Sequence, residues 1–211
     1  MVYLQLIYSL VILRKATLKL KKEDFYPAIV LVFVLWIIFI LQQIGFFQHC
    51  YGVIPWRIEG IKGIFLSPLF HGSLSHLSSN TIPLFVLSVL LFLFYKKQAY
   101  SVLISGWILS GVLLWLLPDF NYLQHQVHSC HIGASGLIYL LATFLCFSGI
   151  FLRQVVLILI SILVAVLYGG LIYAIFPHLV GDDVSWQGHL IGTLVGFFYA
   201  YQLNKKKRRR A

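Results

Sequence analysis

Charge is scarce in this chain: six residues of 211 are acidic, and all charged residues together make up 10% against 60% hydrophobic. That balance, with a mean hydropathy of +0.91, excludes an ordinary water-soluble domain. Cysteine is sparse as well. Cys50, Cys130 and Cys146 form no CxxC pair and no metal-ligand spacing, so all three read as packing residues. Cys50 and Cys130 fall on the same predicted side of the membrane, which leaves a disulfide between them open. No HExxH occurs, and no carboxylate inside an apolar run completes a shell around His125, His128 and His131. Metal catalysis is therefore not expected, and no cofactor is. Residues 1–13 lack a basic n-region and are too short to span, which argues against a secretory signal and for an interfacial segment.

What the chain does have is length without charge. Uncharged runs cover 25–56, 63–95, 98–118, 120–152, 154–181 and 184–204. A span needs about 20 mostly apolar residues, so six transmembrane helices are the economical count. The net charge of +10 would suit nucleic acid, but the basic residues sit between the hydrophobic runs. A cytoplasmic N-terminus puts Arg14, Lys15, Lys19, Lys21, Lys22, Lys96, Lys97, Arg153 and the tail from Lys205 to Arg210 inside, leaving only Arg57 and Lys62 outside. The tail then serves as a stop and an anchor for anionic headgroups. The expected organisation is an N-terminal cytoplasmic or interfacial segment (1–27), a six-helix membrane domain (28–203) and a basic cytoplasmic tail (204–211).

Polar residues break the pattern in a few places. The first span, ending near Ile44, carries only Gln42 and Gln43 and reads as scaffold. Segment 46–70 mixes Gly and Pro with Phe, Tyr, Trp and Ile; it should lie half-sunk in the outer leaflet, with Tyr51 and Trp56 at headgroup depth. After it, His71-Gly72-Ser73-Leu74-Ser75-His76-Leu77-Ser78-Ser79-Asn80 is unusually polar for the mouth of a hydrophobic helix. His76 and Asn80, at i and i+4, project from one face and can both donate hydrogen bonds. Polar groups in spans usually line working cavities; His71, outside that pair, reads as a structural tie. The third span, 100–117, has no acidic, basic or histidine side chain.

His131-Ile132-Gly133-Ala134-Ser135-Gly136 places one hydroxyl at the mouth of the fourth helix, with Tyr139 a turn further on the same face. The fifth span should reach about Phe176, and Pro177, His178, Asp182 and Asp183 make the last external turn. Val180-Gly181-Asp182 matches part of an aspartyl intramembrane protease motif, but no second aspartate lies in a span, which excludes that class. The sixth helix carries His189 beside Gly188, Gly192 and Gly196, a small-residue face that permits close approach. If its neighbour is the fourth helix, Gly133 and Gly136 supply the complementary surface and Ser135 meets His189.

These residues resemble the rhomboid family of intramembrane serine proteases. Gly133-Ala134-Ser135-Gly136 is similar to the family's nucleophile motif, Gly188-His189 with Gly192 and Gly196 to its histidine helix, His71, His76 and Asn80 to its H-x4-H-x3-N pattern, and Tyr139 to its tyrosine after the serine. The likeness covers about 44–201, in the expected order. It departs in one place: many members carry Trp-Arg shortly before the first histidine, where this chain has Lys62-Gly63, with Trp56-Arg57 earlier. The resemblance implies an all-α bundle of six transmembrane helices with both termini cytoplasmic. It implies that Ser135 attacks a peptide carbonyl while His189 moves the proton, that Tyr139 restrains the imidazole without a third acid, and that His76, Asn80 and the Ser135 N–H hold the oxyanion. The implied partners are transmembrane protein substrates and the lipid bilayer, not nucleic acid, and the compact form fits a bacterial plasma membrane. The alternative class is a catalytically silent rhomboid-like chaperone or adaptor. A transporter would need a polar path to both faces, which the inner halves of the spans lack.

Overall fold

The computed structural model describes residues 21–181 and 184–208. Segment 1–13, read above as interfacial, the basic residues Arg14, Lys15 and Lys19, the acidic pair Asp182 and Asp183, and the end of the basic tail at 209–211 lie outside the described residues. Within them every regular element is helical, as the pairing of backbone groups away from water requires. Five helices are long and apolar enough to cross a membrane: α1 (Tyr26–Gln43), α2 (Leu74–Phe94), α3 (Lys96–Leu116), α4 (Ser135–Leu152) and α5 (Val155–Ile175). A sixth long helix, α6 (Trp186–Arg208), runs into the basic tail. The chain is an integral, multi-pass membrane protein.

Local chemistry sets the boundaries. Pro27 sits in the first turn of α1, where its missing N–H is not needed. The polar run before α2 is partly a cap, since Ser73 Oγ accepts the His76 N–H at 3.1 Å. Lys96 and Lys97 begin α3 rather than end α2, and Lys96 pairs with Asp24. Arg153 closes α4 in the left-handed region, φ 52°. The fifth span ends at Ile175, close to the expected Phe176, but it is not uniform. α5 is α-helical only to Tyr168, and Gly169–Ile175 tighten into a 3-10 helix where Gly169-Gly170 weakens the α form.

Burial sorts the helices. α2 and α4 have 61% and 56% of their apolar windows buried, against 17% for α1 and 22% for α5, so the first pair is the core and the second faces outward. Leu84, Leu87, Leu90 and Leu91 of α2 pack with Leu140, Leu141, Phe144 and Leu145 of α4, all essentially inaccessible. Against the other side of α4 lies α6. A Cβ on Gly192 would run into the carbonyl oxygen of Gly136, and one on Gly196 into that of Leu140, so the helices cross backbone to backbone as small-residue packing allows.

Between α1 and α2 the chain forms three short helical turns, Ile58–Gly60, Gly63–Leu66 and Ser67–Leu69. Trp56, itself at φ 58°, donates from Nε1 to Leu116 O at 3.1 Å, and Trp115 Nε1 returns a bond to Arg57 O at 2.9 Å. These bonds stitch the segment to the end of α3. Val53 pairs antiparallel with His131, and beside that bridge Cys50 and Cys130 form a disulfide with 6.2 Å between their Cα atoms. The reading of all three cysteines as packing residues is therefore corrected. Eighty residues separate the pair in sequence, and the Val53–His131 pairing sets the two stretches of chain side by side. Cys146 is free, within α4.

Candidate active site

Ser135 is the first residue of α4 and His189 the fourth of α6. The glycine crossing brings them together: His189 Nε2 lies 2.9 Å from Ser135 Oγ. His189 Nδ1 lies 2.9 Å from the carbonyl oxygen of Ala174. A carbonyl can only accept, so Nδ1 carries the proton and Nε2 is left to accept from the serine hydroxyl. The Tyr139 ring stacks on the imidazole, 4.2 Å between centroids and 7° from parallel, while its hydroxyl donates to Leu171 O at 2.8 Å. Both carbonyls come from the 3-10 end of α5. The orienting acceptor that a carboxylate provides in a triad is here a main-chain group, and no residue type marks it in sequence.

Around the start of α4 the H-x4-H-x3-N residues gather. His71 is 1% exposed; its Nε2 is 3.1 Å from Asn80 Nδ2 and accepts the Ala134 N–H at 3.3 Å. It thus ties α2 to the loop before the serine, rather than merely anchoring α2 to the external segment. Burial, then the nearby His76, pushes the His71 pKa down to about 4, consistent with a neutral ring that accepts. Gln42 of α1, assigned to scaffold above, grips the His71 main chain at both N–H and C=O, 3.3 Å each. The His76 ring sits edge-on to His71, 5.0 Å between centroids, and covers Gly133. At Gly133 φ is +113° and a Cβ would come within 2.6 Å of His76 Cε1, so glycine is required there on two counts. Gly133 therefore serves the contact with α2, not the α4–α6 surface expected of it; only Gly136 faces α6, where a Cβ would be 3.2 Å from Gly188 O.

Beside Ser135 lies a cavity of about 50 Å³ bounded also by Pro68, Gly111, Leu114 and Ser185. Trp107, Ser110 and His131 are among its lining residues, and their Nε1, Oγ and Nε2 atoms are buried without a protein hydrogen-bond partner. The walls are otherwise largely apolar, and unpartnered polar groups beside a space of this size suit ordered water. His131 bonds through Nδ1 to Ser185 Oγ at 2.8 Å, and burial lowers its pKa to about 4 although Asp119 acts in the other direction.

The other loop histidines gather no metal: among the described residues no group of His, Cys, Asp and Glu is placed to hold one. His128 Nδ1 lies 3.0 Å from Asp119 Oδ2, and Asp119 also caps Tyr122 N–H and accepts from Ser129. Burial of Asp119 opposes its ionisation, but the bonds from His128, Ser129 and Tyr122 outweigh it and hold the pKa below the usual carboxylate value.

A family model of the rhomboid domain matches residues 55–206. An uncharacterized protein of Mycobacterium tuberculosis is 37% identical over 164 residues, 75% of this chain and 65% of that protein. One of Mycobacterium leprae is 36% identical over 154 residues, 72% of this chain and 60% of that protein. A protein of Acanthamoeba polyphaga mimivirus named as a rhomboid protein is 26% identical over 132 residues, 62% of this chain and 68% of that protein. The chain thus spans somewhat under two thirds of the mycobacterial relatives' length. Because the domain match extends from the external segment into the end of α6 and takes in Ser135, His189, Tyr139, His71, His76 and Asn80, the chain belongs to the rhomboid family.

Proposed function

We propose that this protein is an intramembrane serine endopeptidase that cuts peptide bonds in or near transmembrane segments of membrane-protein substrates. The observation that carries the reading is the 2.9 Å contact between Ser135 Oγ and His189 Nε2, on an imidazole already committed at Nδ1 to a carbonyl. Ser135 attacks the scissile carbonyl, His189 takes the proton, and the imidazolium is supported by the Ala174 carbonyl and the Tyr139 ring face. The same proton passes to the leaving amine, and water then releases the acyl group. The Ser135 N–H at the first turn of α4, with His76 and Asn80 across the loop, supplies the oxyanion donors. His71, Gly133, Gly136 and Gly192 hold these groups in register.

The membrane domain (28–203) crosses six times, α6 being the sixth span, with segment 1–27 cytoplasmic or interfacial and tail 204–211 cytoplasmic. Two independent features support that orientation. The basic residues at the ends of the helices fall on one side, and the Cys50–Cys130 disulfide belongs to an oxidising compartment, which is the opposite side. The mycobacterial relatives favour a bacterial plasma membrane.

The test is acylation by a fluorophosphonate together with cleavage of a single-span model substrate in proteoliposomes. Wild-type protein is expected to label at Ser135 and to cleave, and Ser135→Ala to do neither while inserting normally. Cleavage undiminished in Ser135→Ala removes this serine from the mechanism. A wild type that binds the substrate helix but neither labels nor cuts is an adaptor instead.

A further inference from the structure

Two side-chain hydrogen bonds join the start of α4 and the loop ahead of it to the start of α6 and the turn that opens it. One is Ser135–His189. The other is its mirror image: His131, four residues before Ser135, bonds at 2.8 Å to Ser185, four residues before His189. Here the histidine comes from the serine's segment and the serine from the histidine's. We propose that His131 and Ser185 form a second, non-nucleophilic Ser–His pair that positions the reacting one, an inference that rests on the hydrolase reading above.

Both members are tied firmly to their own segments. Ser185 Oγ accepts the Gly188 N–H at 3.3 Å and its carbonyl accepts the His189 N–H at 3.2 Å, so Ser185 sets where the first turn of α6 begins. The His131 main chain is clasped to Val53 by bonds of 2.9 and 3.0 Å, and its neighbour Cys130 is in the disulfide. Along α6 the order is Ser185, His189, Gly192; along the other segment it is His131, Ser135, Gly136. The reacting pair is therefore bracketed, by the Gly192–Gly136 crossing on one side and the His131–Ser185 bond on the other. The glycine contacts, at Gly192 and further on at Gly196, lie on one side of the reacting pair only, so the His131–Ser185 bond is what holds the two segments at a set separation on the other side. Reaction rates are sensitive to that separation, since a displacement of about 1 Å costs on the order of 100-fold.

The experiment compares wild type, His131→Phe, Ser185→Ala, the double variant and His131→Asn, full-length in proteoliposomes. It measures the rate of fluorophosphonate labelling, kcat and KM for a transmembrane peptide, and thermal unfolding. Each single variant is expected to lose about 10- to 100-fold in labelling rate and kcat with KM changed less than about threefold, and the double to be no worse than the poorer single. His131→Asn, whose amide can reach Ser185 from near the position of Nδ1, is expected to recover most of the loss. Should Ser185→Ala fail to fold, Ser185→Gly replaces it, glycine being accepted at helix starts. Unchanged kcat with lowered thermal stability, losses that multiply in the double variant, or a His131→Asn variant as slow as His131→Phe would overturn the pairing. A wild type that does not label overturns the hydrolase reading and this inference with it; a labelling wild type with unaffected variants overturns only the inference.

Discussion

Asn80 shows how one side chain can serve both structure and chemistry. Its amide nitrogen is engaged with His71 at 3.1 Å, yet an amide has two N–H groups, and the second remains for the oxyanion. Asn80→Ala is expected to lower kcat about 10²- to 10³-fold, read on a fluorogenic transmembrane peptide; a loss below about threefold would take Asn80 out of the oxyanion site. His71 and His131 carry a pH dependence. Burial holds both folded pKa values near 4, below the ordinary 6.5, so between those values the unfolded chain binds more protons than the folded one. Stability therefore rises with pH across that window and is lost as pH falls from 6.5 towards 4. Thermal unfolding in detergent from about pH 7 down to about pH 4 checks this, and a flat profile would mean that neither ring is held neutral. At this scale the sequence was informative wherever a residue type has few uses: Ser135, His189, His76 and Asn80 stand out among leucines. It was silent on Ala174 and Leu171, because their contribution is a carbonyl that every residue owns.

Between elements, the decisive contact is α4 against α6. Gly192 and Gly196 are buried against main-chain oxygens of Gly136 and Leu140, so no side-chain rotation can make room for a larger residue. Gly192→Ala should push the helices apart, separating Ser135 from His189. We expect loss of most labelling at Ser135 and a destabilisation of about 1–3 kcal/mol; normal labelling with an unchanged melting temperature would show that the crossing has slack. The four-residue glycine spacing announced a close neighbour in advance. It did not say which glycine meets which partner, and Gly133, assigned to this surface by its spacing, lies under His76 because its positive φ turns the chain toward α2. Likewise α5 reads as one apolar run, while its 3-10 end at Gly169–Ile175 depends on the contacts that the freed carbonyls make with α4 and α6.

Over the whole molecule, the external segment and the serine loop are joined covalently by Cys50–Cys130. Reduction, or Cys50→Ser with Cys130→Ser, is expected to lower stability by about 2–4 kcal/mol, seen as a drop in melting temperature with reductant that the double variant no longer shows. Equal melting temperatures with and without reductant would mean that the bond is dispensable to the fold. Hydrophobic length, the one-sided placement of lysine and arginine and the ordered serine, histidine and asparagine motifs were determined by the sequence alone, because each is a local property of a chain in a bilayer. The partners of those residues were decided only in three dimensions. Hydrogen bonds of His189 to Ala174, His131 to Ser185 and Gln42 to His71, and the pairing of two cysteines eighty residues apart, depend on how rods cross, and a crossing is a joint property of two surfaces that neither segment carries by itself.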